Sequence, residues 1–202
     1  MTKVIWGRAA RAAIAAMAFG PVSCGDLTRQ GQSPAYLIIQ TIEAAQGHVP
    51  DEFFAALSSD VITVVDDVPG IFPDGGRVTF TLGLKDPGPP GSPNTPSPNN
   101  AITVNRYRVS FIRADGRNTP GVDVPYAFDG AFTITVTDEA TAGFTLVRVV
   151  AKPEAPLAAL RVSPVFIGTI AEITFYGFDQ TGREVTATGR IGVNFGNFAD
   201  PE

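Results

Sequence analysis

The clearest structural signal in the chain is the segment AEITFYGFDQTGREVTATGRIGVNF, residues 171–195. Ile173 and Phe175 alternate with polar residues, and similar alternation returns in the second half of the segment, up to Val193. Successive side chains of a strand point to opposite faces, so each half predicts a half-buried strand. The residues between them, Asp179-Gln180-Thr181-Gly182, are typical of a tight turn. The segment therefore predicts a β-hairpin.

Similar alternation predicts further strands at 77–85, 106–111 and 132–137. Tyr36–Ile42 is rich in β-branched residues and favours a strand over a helix. The run at 144–150 is apolar on both faces, which predicts a central strand. Pro156–Arg161 favours a single helical turn, with proline at the permitted first position. About seven or eight short strands with little helix indicate an all-β chain.

The fold expected from these strands is a single antiparallel β-sandwich over residues 35–199. Its last hairpin resembles the final hairpin of bacterial immunoglobulin-like and fibronectin-like domains, which implies an Ig-like sandwich. The proline-rich segment 86–100 is either a linker between two domains or an exposed loop within one. We favour a loop, because residues 35–85 supply too few strands for an independent core.

The N-terminus has the layout of an export signal. Basic residues at 3, 8 and 11 precede the apolar run Ala12–Phe19, which is too short to cross a bilayer. Ser23-Cys24-Gly25 follows and resembles the bacterial lipoprotein signal, with Pro21 where such signals usually carry leucine. The resemblance implies a cleaved signal peptide over 1–23, lipidation of Cys24 and a tether over 24–34. Cleavage by a general signal peptidase after Ala16-Met17-Ala18 is the alternative.

Composition narrows the chemistry further. The 202 residues include one Cys and one His, which excludes a disulfide framework and a Cys/His zinc site. The formal net charge is −5. Removal of 1–23 leaves 20 acidic and 12 basic residues, a charge of −8. Such a chain has no basic run, so nucleic acid is not an expected partner.

Two groups of residues are candidate sites. Four oxygen-bearing residues within a short segment suit Ca²⁺, which prefers hard oxygen ligands: Asp115, Asn118, Asp123 and Asp129. Ordinary turn chemistry is the alternative explanation for them. The second candidate is a ligand patch for a carboxylate or a sugar acid, formed by Arg106, Arg108, Tyr126 and Tyr176. Its alternative is a solvated strand face with acids as cross-strand partners. Phe128 is a further aromatic residue expected at the surface.

These features favour a non-catalytic lipoprotein, exported and held in the cell envelope through Cys24. The outer membrane or periplasmic side is expected rather than the cytoplasm. Its role would be structural or adhesive, toward an unidentified envelope protein or polysaccharide, with no cofactor required. One alternative is a carbohydrate-recognition module assisted by Ca²⁺. The other is a small envelope hydrolase that uses His48 as a general base, or a pair of acidic residues.

Overall fold

The computed structural model describes residues 33–198, and these fold mainly as β-strands joined by turns. The predicted signal peptide, Cys24 and most of the predicted tether lie outside the described residues. The strands are β1 (Ala35–Ala45), β2 (Ala56–Asp60), β3 (Thr63–Val65), β4 (Val68–Gly70), β5 (Asp74–Leu84), β6 (Ile102–Ile112), β7 (Phe128–Val136), β8 (Glu139–Val147), β9 (Ile167–Asp179) and β10 (Glu184–Gly196). Short 3₁₀ turns occur at Pro98–Asn100, Val149–Ala151 and Leu157–Val162.

Two sheets pack face to face. One has three strands in the order β1-β5-β8, and the other has five in the order β2-β10-β9-β6-β7. Strands β3 and β4 form a separate small hairpin. The pairings in the two sheets are antiparallel except that of β2 with β10, which is parallel. The chain is therefore an all-β sandwich, as the sequence predicts.

The core between the sheets is built from the apolar faces of the alternating strands. Phe80 of β5 meets Phe175 of β9 edge to face, with ring centroids 5.0 Å apart. Both side chains are fully buried. Burial of one such side chain stabilises a fold by roughly 1.5–3 kcal/mol, and edge-to-face pairing adds to that. These contacts join the two sheets at their centre.

Strand pairing defines two ends of the sandwich. At the proximal end, β1 begins at Ala35, opposite Leu84 of β5, and Ile102 of β6 lies opposite Asp179 of β9. The proline-rich segment 86–100 connects β5 to β6 at this end. The distal end is the opposite one, and it carries the connections 113–127 and 148–166 and the segment 46–73, which contains β2 to β4.

Three details differ from the sequence-based expectation. The predicted central strand at 144–150 is wrong, because β8 is an edge strand of the three-stranded sheet and ends at Val147. The run is apolar on both faces because the consecutive residues Leu146 and Val147 are both buried where β8 ends, just before a 3₁₀ turn. The predicted helical turn is a 3₁₀ turn, Leu157–Val162. Strands β2 to β4 bring the total to ten, and alternation does not predict them because they are short.

Candidate functional site

The candidate site is a cleft on the outer face of the five-stranded sheet, at a β-bulge in β6. Val104 pairs with Gly177 and Arg106 with Tyr176, so Asn105 is the extra residue of the bulge relative to β9. A Cβ on Gly177 would lie 2.5 Å from the carbonyl oxygen of Thr103, so a larger residue would push the two strands apart. Bulges redirect the side chains beside them, and this one lies at the concave part of the sheet surface.

Arg106 and Tyr176 meet in this cleft. The guanidinium carbon of Arg106 lies 4.2 Å from the centroid of the Tyr176 ring, which is a cation–π contact. The cleft has a volume of about 370 Å³, and its other lining residues are Asn105, Gly177, Phe178, Glu184, Val185 and Thr186. The structure thus brings together two of the four residues of the predicted ligand patch.

The other arginines on this face have acidic partners. Arg108 donates to Asp129 at 2.8 Å, and Arg190 donates to Glu172 at 2.6 Å. Within residues 33–198, Arg106 forms no ion pair and stacks on Tyr176 instead. A cation–π contact does not use the N–H donors of a guanidinium, so these donors stay available to another partner.

Tyr126 does not belong to the cleft. It lies in the distal connection 113–127, where its ring packs against Gly121. Gly121 has a φ of +75°, so the turn and the packing both favour glycine there. The expectation that Phe128 lies at the surface is wrong, since Phe128 is buried and meets Tyr107 edge to face at 6.4 Å. It begins β7 with its side chain among the core residues.

Protein groups engage each of the four residues of the Ca²⁺ prediction. Asp115 accepts hydrogen bonds from Arg113 and Arg117, and these hold the pKa of its carboxyl well below the ordinary range. The remaining three accept hydrogen bonds from separate partners: Asn118 from the N–H of Arg113, Asp123 from the N–H of Thr119, and Asp129 from Arg108. Among residues 33–198, no group of three or more His, Cys, Asp and Glu could hold a metal ion. The Ca²⁺ hypothesis stays a prediction.

His48, the base of the hydrolase alternative, lies in the turn that follows β1 and is half-buried. The backbone beside it is fixed to the sandwich, because the N–H of Gly47 donates to Asp74 Oδ1 at 3.0 Å. Asp51 and Glu52 are exposed in the same connection. The hydrolase alternative therefore rests on closeness along the chain and stays a prediction.

A buried polar cluster at the distal end is not evident from the sequence. Lys152 Nζ lies 3.0 Å from Asp74 Oδ2, and the Ser59 hydroxyl donates to the same oxygen at 2.6 Å. All three residues are almost completely buried. The cluster connects β2, β5 and the turn after β8, so it holds the distal connections in place. The one signal in the sequence is a lysine directly after an apolar run, 149–151, which is a weak signal.

In chemical terms, the cleft offers cationic donors from Arg106, an aromatic ring, and the polar side chains of Asn105, Glu184 and Thr186. This set suits recognition of a small polar ligand that carries a carboxylate. In the described part of the chain, no helix is both long and apolar enough to span a bilayer. No protein-family model matches this chain, and no curated protein matches it.

Proposed function

We propose that this protein is a non-catalytic interaction module of the cell envelope, exported and anchored by a lipid on Cys24. The layout of residues 1–25 supports export and lipidation, since basic residues and a short apolar run precede Ser23-Cys24-Gly25. Each acyl chain contributes roughly 0.8 kcal/mol per buried CH₂, so two or more chains anchor a protein stably. The sandwich would then be held at the membrane by a covalent tether.

The observation that carries the proposal is the place where the chain enters the sandwich. The chain joins the sheets at Ala35, which lies at the proximal end. Cys24 precedes Ser33 by nine positions, and an extended chain spans about 3.3 Å per residue, so the tether would reach roughly 30 Å at most. An anchor there would attach the sandwich by its proximal end and leave the distal end as the one farther from the attachment point.

The distal end carries exposed apolar side chains that suit contact with another envelope component. Val162 is 93% exposed and Phe166 is 65% exposed, and both lie in or beside the connection after β8. Phe166 and Phe198 both lie against Gly196, so the aromatic residues there are close together. Clustered apolar residues at a surface mark interaction sites more often than scattered ones do. The buried Asp74–Lys152 pair holds the first part of the connection 148–166, which carries Val162 and Phe166.

The anchor is tested by Cys24→Ser in the full-length chain. We expect metabolic labelling with an acyl-chain analogue to disappear and the protein to leave the membrane fraction. Labelling that persists in the variant would contradict the proposal. Mass spectrometry of the N-terminal peptide of the processed wild-type protein separates the two cleavage sites, because a chain beginning at Phe19 follows general signal peptidase and one beginning at Cys24 follows lipoprotein processing.

Site-specific photo-cross-linking in intact envelopes tests whether the distal end is the part of the sandwich that contacts a partner. A photoreactive residue at Phe166 reports on the distal end, and the same residue at Ile38 of β1 is the matched control at an exposed apolar position near the proximal end. We expect reproducible cross-linked partners from position 166. Equal cross-linking from both positions would contradict a distal interaction surface.

The cleft at Arg106 supports carbohydrate recognition as a second candidate function. An aromatic ring beside polar groups is the kind of surface that saccharides contact, and Tyr176 supplies the ring. Binding of a saccharide is compatible with the anchored module, since polysaccharides are envelope components.

A further inference from the structure

We propose that the Arg106–Tyr176 cleft binds an acidic saccharide, with the sugar carboxylate held by the Arg106 guanidinium. The inference deepens the proposed interaction role by naming a ligand class, and it rests on that role only for the cellular setting. Binding itself is a property of the folded domain and can be measured without the membrane.

The Arg106 guanidinium differs from its neighbours in having no acidic partner among the described residues. Neighbouring arginines on the same sheet face are neutralised, Arg108 by Asp129 and Arg190 by Glu172. Arg106 is exposed and stacked, and no acid of the described residues pairs with it. A guanidinium binds a carboxylate through two parallel N–H donors, in a geometry that a stacked group can still offer. The cleft therefore contains a guanidinium with which no described acid forms an ion pair, although the Glu184 carboxylate lines the same cleft.

The Arg106 side chain is partly preorganised for binding. The stacking on Tyr176 restrains the long Arg106 side chain, which otherwise loses rotamer freedom when a ligand binds. Below it, the bulge at Asn105 and the close approach of Gly177 to Thr103 define the backbone. Part of the ordering that a ligand requires is thus already present in the folded protein.

The other polar groups of the cleft favour an acidic sugar over a simple anion or an acidic peptide. Glu184 also lines the cleft, and its carboxylate accepts hydrogen bonds but repels a second negative group. Asn105 and Thr186 add further donors and acceptors. A sugar acid matches this set, because it combines one carboxylate with several hydroxyl groups. A small anion leaves the polar groups unused, and an acidic peptide brings repeated negative charge.

The size of the cleft agrees with this ligand class. Its volume of about 370 Å³ lies at the small end of the range for small-molecule sites, which is roughly 300–1,000 Å³. A cleft of that size accommodates a short saccharide segment. The part of the half-buried Tyr176 ring that Arg106 does not cover is the apolar surface against which a sugar ring would pack.

The experiment is calorimetric titration of the full-length protein in detergent with a disaccharide that carries one glucuronate. The methyl ester of the same disaccharide is the matched neutral ligand, and acetate and triglutamate are the anionic controls. We expect the free acid to bind at least about tenfold more tightly than its ester, because a charge-assisted pair contributes about 1.4 kcal/mol or more. It should also bind more tightly than acetate and triglutamate.

Variants assign the binding to the cleft. Arg106→Ala should weaken binding of the acid at least about tenfold, and Arg106→Lys should weaken it less, since the charge stays but the planar fork is lost. Arg108→Ala is the matched control from the same strand and face, and its affinity should stay within about twofold of the wild type. Melting temperatures of the variants show that each remains folded.

Several results would overturn the proposal. One is that the glucuronate disaccharide does not bind at millimolar concentration, and another is that the acid and its ester bind with equal affinity. The others are tighter binding of triglutamate than of the disaccharide, and equal losses of affinity in the Arg106→Ala and Arg108→Ala variants. None of these results tests the lipid anchor. The anchor is tested separately, by acyl labelling of the Cys24→Ser variant. Failure of the anchor would likewise leave the titration unchanged.

Discussion

The hydroxyl of Tyr107, on β6 of the five-stranded sheet, accepts a hydrogen bond from the backbone N–H of Thr145 on β8 of the other sheet, at 3.1 Å. Strand β8 is an edge strand, and its unpaired amides would otherwise need another acceptor. Tyr107 reaches it by passing over Gly130 of β7, where a Cβ would collide with the ring. One side chain therefore joins the sheets by packing and by a hydrogen bond.

Tyr107→Phe should lower the free energy of unfolding by about 1–3 kcal/mol, because it leaves the Thr145 N–H without its acceptor while preserving the ring contacts. Urea denaturation at neutral pH measures the loss. Tyr126→Phe is the control, since Tyr126 is exposed in a distal loop, and it should change stability by under about 0.5 kcal/mol. Equal effects of the two substitutions would contradict the role of the hydroxyl.

The turn between β3 and β4 offers a stabilising substitution. Asp66 and Asp67 have φ values of 52° and 60°, in the left-handed region that favours glycine. Val65 pairs with Val68, so these two residues form the tight turn of the hairpin. Asp67→Gly should raise the free energy of unfolding by up to about 1 kcal/mol, as chemical denaturation would measure. A fall in the denaturation midpoint would show that the Asp67 side chain contributes more than its backbone strain costs.

The proline-rich segment is expected to be dispensable for folding. Most of residues 86–100 are exposed, and hydrogen bonds from Ser92 to Pro89 and from Asn94 to Pro87 lie within the segment. Deletion of residues 88–98 should therefore leave the two sheets and a cooperative melting transition intact, as loop length affects stability only weakly. Circular dichroism during heating tests this. Loss of the cooperative transition would mean that the segment packs against the sandwich.

The sequence predicts which residues are buried on a strand better than it predicts which side chains meet across strands. Alternation places Ile173 and Phe175 in the core correctly, because burial on one face of a strand is a local property. The contact of Arg106 with Tyr176 depends on strand register and on a bulge, and alternation contains neither. The predicted patch consequently includes Tyr126, which is exposed on a separate loop.

The buried Asp74–Lys152 pair illustrates the same limit more strongly. The two residues are far apart in the chain, and each is typical of a solvated turn when considered alone. Only the packing of three elements at the distal end buries both of them. Alternation therefore predicts the sheets well, whereas it carries little information about the contacts among their loops.

Lys152→Met should destabilise the protein by about 3–5 kcal/mol, because it leaves the Asp74 carboxylate buried without its counter-charge. Asp74→Asn should be costly for the same reason, since Lys152 then lacks its partner. Replacement of both should be less damaging than the sum of the single changes, and chemical denaturation of the four proteins gives this coupling directly. Additive losses would show that the two charges do not stabilise each other.

Acid should weaken the β9–β10 hairpin through Asp179. Burial raises the pKa of its carboxyl, but hydrogen bonds from the Thr181 hydroxyl and from the N–H groups of Arg183 and Thr181 outweigh burial, so the pKa lies below the ordinary value of 3.8. A carboxyl whose pKa is lowered by folding adds stability above its unfolded pKa, and this stability is lost as the pH falls through the folded pKa.

Asp179→Asn should therefore be less stable than the wild type at pH 7, by about 1–3 kcal/mol, and the difference should narrow below about pH 4. Thr181→Ala should show a smaller deficit that narrows in the same direction, because the two N–H donors to Asp179 remain. Urea denaturation across the range from about pH 3 to about pH 7 measures both differences. A deficit for Asp179→Asn that stays constant over this range would mean that the Asp179 carboxylate does not gain its charge-dependent stability in the hairpin.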